Sequence, residues 1–248
     1  MAEYKRSSLI ASAPSGYCPG CLHSLATRLI SDVLDELGQA QNSLNVISVG
    51  CSALNIKYWG GDFLSVAHGR APAAATGIKR VNPERLVFAY QGDGDLAAIG
   101  LAEIMSAANR GENFTVIFAN NQTYGMTGGQ MAPTTLEGQV TTTTVNGRDP
   151  STTGYPMKMC ELISTLKAPA YVARFALNSP KGINQARAGI KKAFQLQMQG
   201  KGFTFVELLT NCPTNWHLSP LKTLEYMDTN TIPYFTPGIY KDCEVDAE

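Results

Sequence analysis

The chain has 248 residues, 44% hydrophobic and 16% charged, with 20 basic and 20 acidic side chains. An apolar share near the globular average excludes a disordered tail, and zero net charge without a basic cluster excludes sequence-independent nucleic-acid binding. The charged share falls well below the usual ~25%, which points to a surface partly covered by partner subunits.

Residues 1–22 read as irregular, broken by Pro14, Gly16, Pro19 and Gly20. Two basic residues but no apolar core precede Ser15, so no signal peptide is expected. No apolar run reaches the ~20 residues of a membrane span, and a cytoplasmic location is expected. Leu25, Leu29, Ile30, Val33, Leu34 and Leu37 recur at helical spacing, which predicts a helix over 23–37 capped by Gly38. Residues 45–49 predict a buried strand running into Gly50-Cys51-Ser52, and the Ala-rich 70–77 predicts a helix packed closely on a sheet. A second strand over 86–90 ends at Gly92-Asp93-Gly94-Asp95. A helix over 96–109, stopped by Gly111, leads to a third strand over 114–119 that ends at Asn120-Asn121. Residues 122–158 lack periodicity, and a loop of that length is more often functional than idle. Strands over 171–177 and 203–209 flank a basic helix over 183–199, and the segment from Asn211 reads as irregular.

Alternating strands and helices predict a doubly wound, mostly parallel α/β sheet forming a single domain over 1–248, with 1–22 and 211–248 as irregular extensions. In such sheets ligands bind beyond the strand C-termini, where the motifs at 50–52, 92–95 and 120–121 fall.

Gly92 and Gly94 permit a tight turn close to a ligand, and the helix that follows aims free N–H groups at it, which suits an anion. Asp93 and Asn121 are hard oxygen donors of the kind Mg²⁺ takes when it bridges a carboxylate and substrate phosphates. The spacing matches neither the dinucleotide nor the P-loop pattern. Gly-Asp-Gly followed, here after 25 residues, by Asn-Asn resembles the thiamine-diphosphate signature. That likeness assigns Mg²⁺ to Asp93, the Asn121 side chain and the Thr123 carbonyl. It places Gly92, Gly94 and Asp95 along the diphosphate and wraps Gly125 to Gln130 around the cofactor's other side.

Cys18-Pro19-Gly20-Cys21, Cys51 and Cys212 supply four thiols. Such a set holds an iron–sulfur cluster or a zinc ion, or stays unligated. Cys160, in an apolar run, and Cys243, in a polar segment, read as structural.

Cys18-Pro-Gly-Cys21, Val49-Gly-Cys-Ser52, His68-Gly-Arg70, Gly92-Asp-Gly-Asp95, Asn120-Asn121, Tyr124-Gly-Met-Thr-Gly-Gly-Gln130 and Cys212-Pro-Thr214 occur in this order. Together they resemble the β, thiamine-diphosphate-binding subunit of 2-oxoacid:ferredoxin oxidoreductases over about 15–240. His68 to Lys79, the Thr141–Thr144 run and Asn215-Trp216 look most like the 2-oxoisovalerate (branched-chain) type, with the 2-oxoglutarate type next.

The resemblance implies coenzyme-A-dependent oxidative decarboxylation of a 2-oxoacid to acyl-CoA and CO₂, with electrons passing through a [4Fe–4S] cluster to ferredoxin. It implies Cys18, Cys21, Cys51 and Cys212 as cluster ligands. Gly50, Cys51, Ser52, His68, Gly92, Asp93, Gly94, Asp95, Asn121, Tyr124, Gly125, Met126, Thr127 and Gly128 are implied at the cofactor. It also implies further subunits (α, γ and a ferredoxin-like δ), because the glutamate that activates thiamine comes from another chain. Glu103, the nearest candidate here, lies on the helix after the diphosphate turn. The other reading is a non-redox thiamine-diphosphate decarboxylase or synthase subunit with a structural zinc. Leu22 and His217 depart from the family pattern, which has Gly at both positions.

Overall fold

A computed structural model describes residues 6–245; the expectations on residues 1–5 and 246–248 lie outside the described residues. The elements run α1 (His23–Glu36), β1 (Ser43–Ile47), β2 (Asp62–Ser65), α2 (Ala71–Val81), β3 (Leu86–Gly92), α3 (Leu101–Arg110) and β4 (Thr115–Asn120). A two-stranded hairpin, β5 (Thr123–Tyr124) and β6 (Gln130–Met131), and the short helices α4 (Pro150–Thr153) and α5 (Met159–Ser164) follow. Then come β7 (Tyr171–Ala176), α6 (Pro180–Met198), β8 (Thr204–Leu209), α7 (Pro213–Trp216), α8 (Pro220–Tyr226), α9 (Ile232–Tyr234) and β9 (Gly238–Lys241).

The expected doubly wound sheet is present. Seven strands lie in the order β2-β1-β3-β4-β8-β7-β9, all parallel except β9, which runs antiparallel to β7. Strands β3, β4, β7 and β8 are buried along nearly their whole length, as a sheet covered on both faces requires. On one face α1 and α6 pack Leu29, Ile30, Val33, Ile190 and Phe194 against Phe88, Tyr90 and Val206. On the other, α2, α3 and α5 pack Ala71, Ala75, Ile104, Ala107 and Ile163 against Val87, Val116 and Phe205.

Small residues set how closely the layers approach. A Cβ on Gly182 of α6 would stand 2.1 Å from the carbonyl oxygen of Ala176 in β7, and one on Gly189 would stand 2.1 Å from the Phe175 ring. Gly182→Ala is therefore expected to destabilise the protein by about 1–3 kcal/mol, the usual cost of overpacking, read by denaturant unfolding.

Three expectations are corrected. The helix after Asp95 does not begin at Leu96. Gly94–Ile99 forms a wide π-type turn in which the Gly100 N–H donates to the Asp95 carbonyl at 2.8 Å, and α3 starts at Leu101. The bulge seats Gly100 against Gly69, where a Cβ would be 2.6 Å from the Gly69 carbonyl oxygen, closer than an ordinary side chain permits. The segment from Asn211 is not irregular: it holds α7, α8, α9 and β9, and Met227 and Phe235 are fully buried. Strand β2 is absent from the reading of the sequence; it pairs only with β1, its four residues are exposed, and Phe63 and Leu64 stand on an open sheet edge.

The two departures from the family pattern have local accounts. His217 ends α7 at φ 54°, a left-handed position that glycine takes freely, and its side chain is exposed. Leu22 sits at φ −75°, an ordinary right-handed conformation, so no glycine is needed there.

Candidate functional site

The C-terminal ends of β1, β3 and β4 open into a cleft. Gly50, Cys51, His68, Gly92, Asp93, Gly94, Asp95, Asn121, Thr123, Tyr124, Gly125, Met126 and Thr127 all line it, with His23 and Val49. Thirteen sequence positions spread over 78 residues are thus brought to one wall by three parallel strands. Ser52 and Gly128 do not line the cleft: Ser52 is fully buried with an unpartnered hydroxyl, and Gly128 turns the loop outward at φ 110°.

Asp93 caps the wide turn, its Oδ1 accepting from the Gly94 N–H at 2.8 Å and its Oδ2 from the Thr134 hydroxyl at 2.7 Å. Burial pushes its carboxyl up to about 6, against the pull of Thr134 and the Gly94, Gln122 and Thr123 amides. A cation beside it would supply the compensation that burial removes. Across from it, the Thr123 N–H reaches back to Asn121 Oδ1 at 3.4 Å, and Gln122 between them holds φ 59°. That left-handed backbone is pinned from outside: the Thr135 hydroxyl donates to the Gln122 carbonyl at 2.6 Å, and the Trp216 indole N–H to the Asn121 carbonyl at 3.2 Å. The Asn120 side chain turns the other way and donates to Glu207 Oε1 at 2.8 Å. Asn121 therefore faces the cleft while Asn120 anchors the turn.

Asp95 lines the wall, but its carboxylate serves the protein. Oδ1 accepts from Ser48 Oγ at 2.8 Å, His68 Nδ1 at 2.5 Å and the Gly69 N–H at 2.6 Å, and Oδ2 accepts from Gln91 Nε2 at 2.7 Å. It holds His68 and the Gly69 turn at the cleft's edge. Gly94 has no room for a side chain, since a Cβ there would stand 2.2 Å from the Tyr124 ring. The Tyr124 hydroxyl donates to the Gly94 carbonyl at 3.2 Å, so the loop after β4 closes over the diphosphate-type turn.

Of the four cysteines, Cys51 lines the cleft and Cys212 lies close to its Gly125 wall. A Cβ at Gly125 would lie 3.1 Å from Cys51 Sγ, 3.7 Å from Cys212 Sγ and 3.8 Å from Asn121 Nδ2. Burial pushes the Cys21 and Cys51 thiols up to about 12, and the neighbouring thiols add to the rise. Burial raises Cys212 as well, opposed by N–H groups of Asn215. Among the described residues no three His, Cys, Asp or Glu side chains stand as a ready-made site for a metal ion. Cys21, Cys51 and Cys212 are free thiols that would ionise more readily beside a positive partner that offsets burial. Cys160 is fully buried on α5, in keeping with a structural role.

His23 was not expected in the site. It opens α1 directly after the CxxC segment, lines the cleft beside Cys51, stacks on Tyr17 at 5.4 Å and shares a 2.5 Å hydrogen bond with the Tyr90 hydroxyl. Burial lowers its pKa to about 4, which leaves a neutral ring. Its position beside Cys21 was the only available signal. Glu103 lies outside the cleft, tied to Arg70 in an ion pair.

A switch-point cleft with a buried acid, a facing carboxamide and a glycine-formed turn defines a thiamine-pyrophosphate-binding module. Residues 48–208 match the thiamine pyrophosphate enzyme family's C-terminal TPP-binding domain. The chain is 52% identical over 206 residues to ketoisovalerate oxidoreductase subunit VorA of Methanothermobacter thermautotrophicus, covering 82% of this chain but only 43% of that relative. It is 34% identical over 229 residues to 2-oxoglutarate synthase subunit KorB of Archaeoglobus fulgidus, covering 92% of this chain and 80% of the relative. The chain belongs to the thiamine-pyrophosphate-binding subunits of the 2-oxoacid:ferredoxin oxidoreductase family. Its fold is shared with a 2-oxoglutarate:ferredoxin oxidoreductase from Magnetococcus marinus, at a TM-score of 0.79 and 23% identity over 100% of this chain and 88% of that one. No helix among the described residues is long and apolar enough to cross a membrane.

Proposed function

We propose that this chain is the catalytic, cofactor-holding subunit of an enzyme that oxidatively decarboxylates a 2-oxoacid to acyl-CoA and CO₂ and passes the electrons through a [4Fe–4S] cluster to ferredoxin. The single observation that carries the reading is the surroundings of Gly125, where an added Cβ would lie within 4 Å of Cys51 Sγ, Cys212 Sγ and Asn121 Nδ2 alike. That nearness of two thiols to a cation-type side chain supports a cluster beside a metal-held diphosphate.

The residues suit each group. Asp93, the Asn121 carboxamide and the Thr123 carbonyl offer Mg²⁺ three hard oxygens, and the cation would offset the buried carboxylate. Gly92 and Gly94 leave the turn bare for a diphosphate, and Tyr124 to Thr127 enclose the opposite side. Cys18, Cys21, Cys51 and Cys212 would hold the cluster, whose charge would keep buried thiols ionised. When bound, thiamine diphosphate supplies a nucleophilic carbon that also accommodates the negative charge left by loss of CO₂. Asp95 keeps His68 oriented at the rim, and the apolar wall of Ala71 and Ala75 backs the sheet end.

The substrate is read as a branched-chain 2-oxoacid, supported by the higher identity to the ketoisovalerate relative than to the 2-oxoglutarate one. Both relatives are named as subunits, and no glutamate lines the cleft among the described residues. The chain is therefore expected to work with further subunits and to form no acyl-CoA when purified alone; turnover by the isolated chain would refute this. Thiamine, magnesium and iron analysis of the anaerobically purified complex, with a panel of 2-oxoacids, tests the whole reading. A colourless protein carrying zinc would favour the non-redox alternative.

A further inference from the structure

Asn215 belongs to the Asn215-Trp216 pair singled out in the sequence. It lies on α7, three residues past Cys212, between the cysteine and the loop that encloses the cleft. Its Nδ2 is 2.9 Å from the Gly125 carbonyl oxygen and 3.3 Å from Cys212 Sγ. The carbonyl only accepts, so the NH₂ end of the amide must face it, and the same NH₂ carries a second proton toward the sulfur. The orientation of the amide is thus fixed by its neighbour. The opposite arm of the loop wedges it further: a Cβ on Gly129 would stand 2.9 Å from Asn215 Cβ.

We propose that Asn215 is a positioning residue for electron transfer, whose side-chain N–H donates to the Cys212 sulfur and raises the reduction potential of the cluster that this cysteine would ligate. The inference rests on the cluster assignment made under Proposed function. A hydrogen bond to a ligating sulfur favours the more negative, reduced cluster, so it makes the cluster a better electron acceptor. The donor is anchored on the cofactor loop through Gly125, so it is presented at a fixed distance. Neither a carboxylate nor an aliphatic side chain could make both contacts.

The test uses the whole complex, purified anaerobically, carrying Asn215→Leu or Asn215→Asp. The midpoint of the cluster is read by EPR-monitored redox titration, alongside iron content. Both variants are expected to retain wild-type iron and to shift the midpoint to more negative values, with the aspartate variant shifted further because it adds negative charge. An unchanged midpoint with iron retained would overturn the proposal. Loss of the cluster in both variants would also overturn it, by assigning Asn215 to assembly and not to tuning. If the unsubstituted complex holds no cluster, the functional reading fails and this inference with it; if it does, only the variants' midpoints decide.

Discussion

Replacing Asp93 by Ala is expected to abolish Mg²⁺-dependent binding of thiamine diphosphate, weakening it by more than about 100-fold, beyond the roughly 10–100-fold typical of losing a supporting residue. Asp93 lines the cleft, and its carboxylate is fed by three backbone amides and a threonine hydroxyl. Those donors fix its direction, and a methyl side chain would leave them aimed at nothing. Asp93→Ala need not unfold the chain, because its removal also removes a costly buried acid. Calorimetric titration of the complex with thiamine diphosphate, at saturating Mg²⁺ and with none, reads the effect directly. Retained binding with full turnover would mean the Asp93–Asn121 pair is vestigial and the chain serves only in electron transfer.

Arg174→Met is expected to cost about 3–5 kcal/mol of stability, the usual result of removing one partner from a buried ion pair. Arg174 on β7 and Glu207 on β8 are paired in register and both fully buried, with Nε 2.9 Å from Oε2. Burial opposes the guanidinium's charge, and the two carboxylates of Glu207 and Glu161 outweigh it. Without the arginine, Glu207 remains in the core with only neutral partners, the Asn120 amide and the Cys160 thiol, beside it among the described residues. The double variant Arg174→Met with Glu207→Gln removes both charges and keeps an acceptor for Asn120, so it is expected to recover at least half the loss. Denaturant unfolding of the three variants decides it; a double variant as unstable as the single one would show that shape, not charge, sets the cost.

That pair also shows where the sequence is legible and where it is not. Arg174 and Glu207 are lone charges in the otherwise apolar runs 171–177 and 203–209, so each could be flagged in the sequence. Their partnership needs the register between β7 and β8, which is a long-range property. Helix α1 was readable because burial on one face imposes a periodicity on apolar residues, and the core strands because burial on both faces leaves short unbroken apolar runs. Strand β2 was not, since an exposed edge strand has no buried face to leave a pattern and exists through its pairing with β1. The wide turn after Asp93 was hidden for a related reason: its cause is the close approach of Gly69 and Gly100, 31 positions apart. The cleft residues were readable because Gly, Asp and Asn at strand ends are unusual chemistry at a fixed spacing. His23 was missed because a histidine at a helix start has an ordinary explanation, and only burial beside Cys51 removes it.

The two margins of the sheet are unequal. At one, β9 reverses direction and seals β7 with a short strand drawn from the same chain. At the other, β2 has no further strand beside it among the described residues, and Phe63 and Leu64 are exposed there. Such a bare margin templates unwanted pairing. A freshly made chain is therefore open to aggregation from one side only, and co-production with whatever shields β2 is the natural remedy for poor yield.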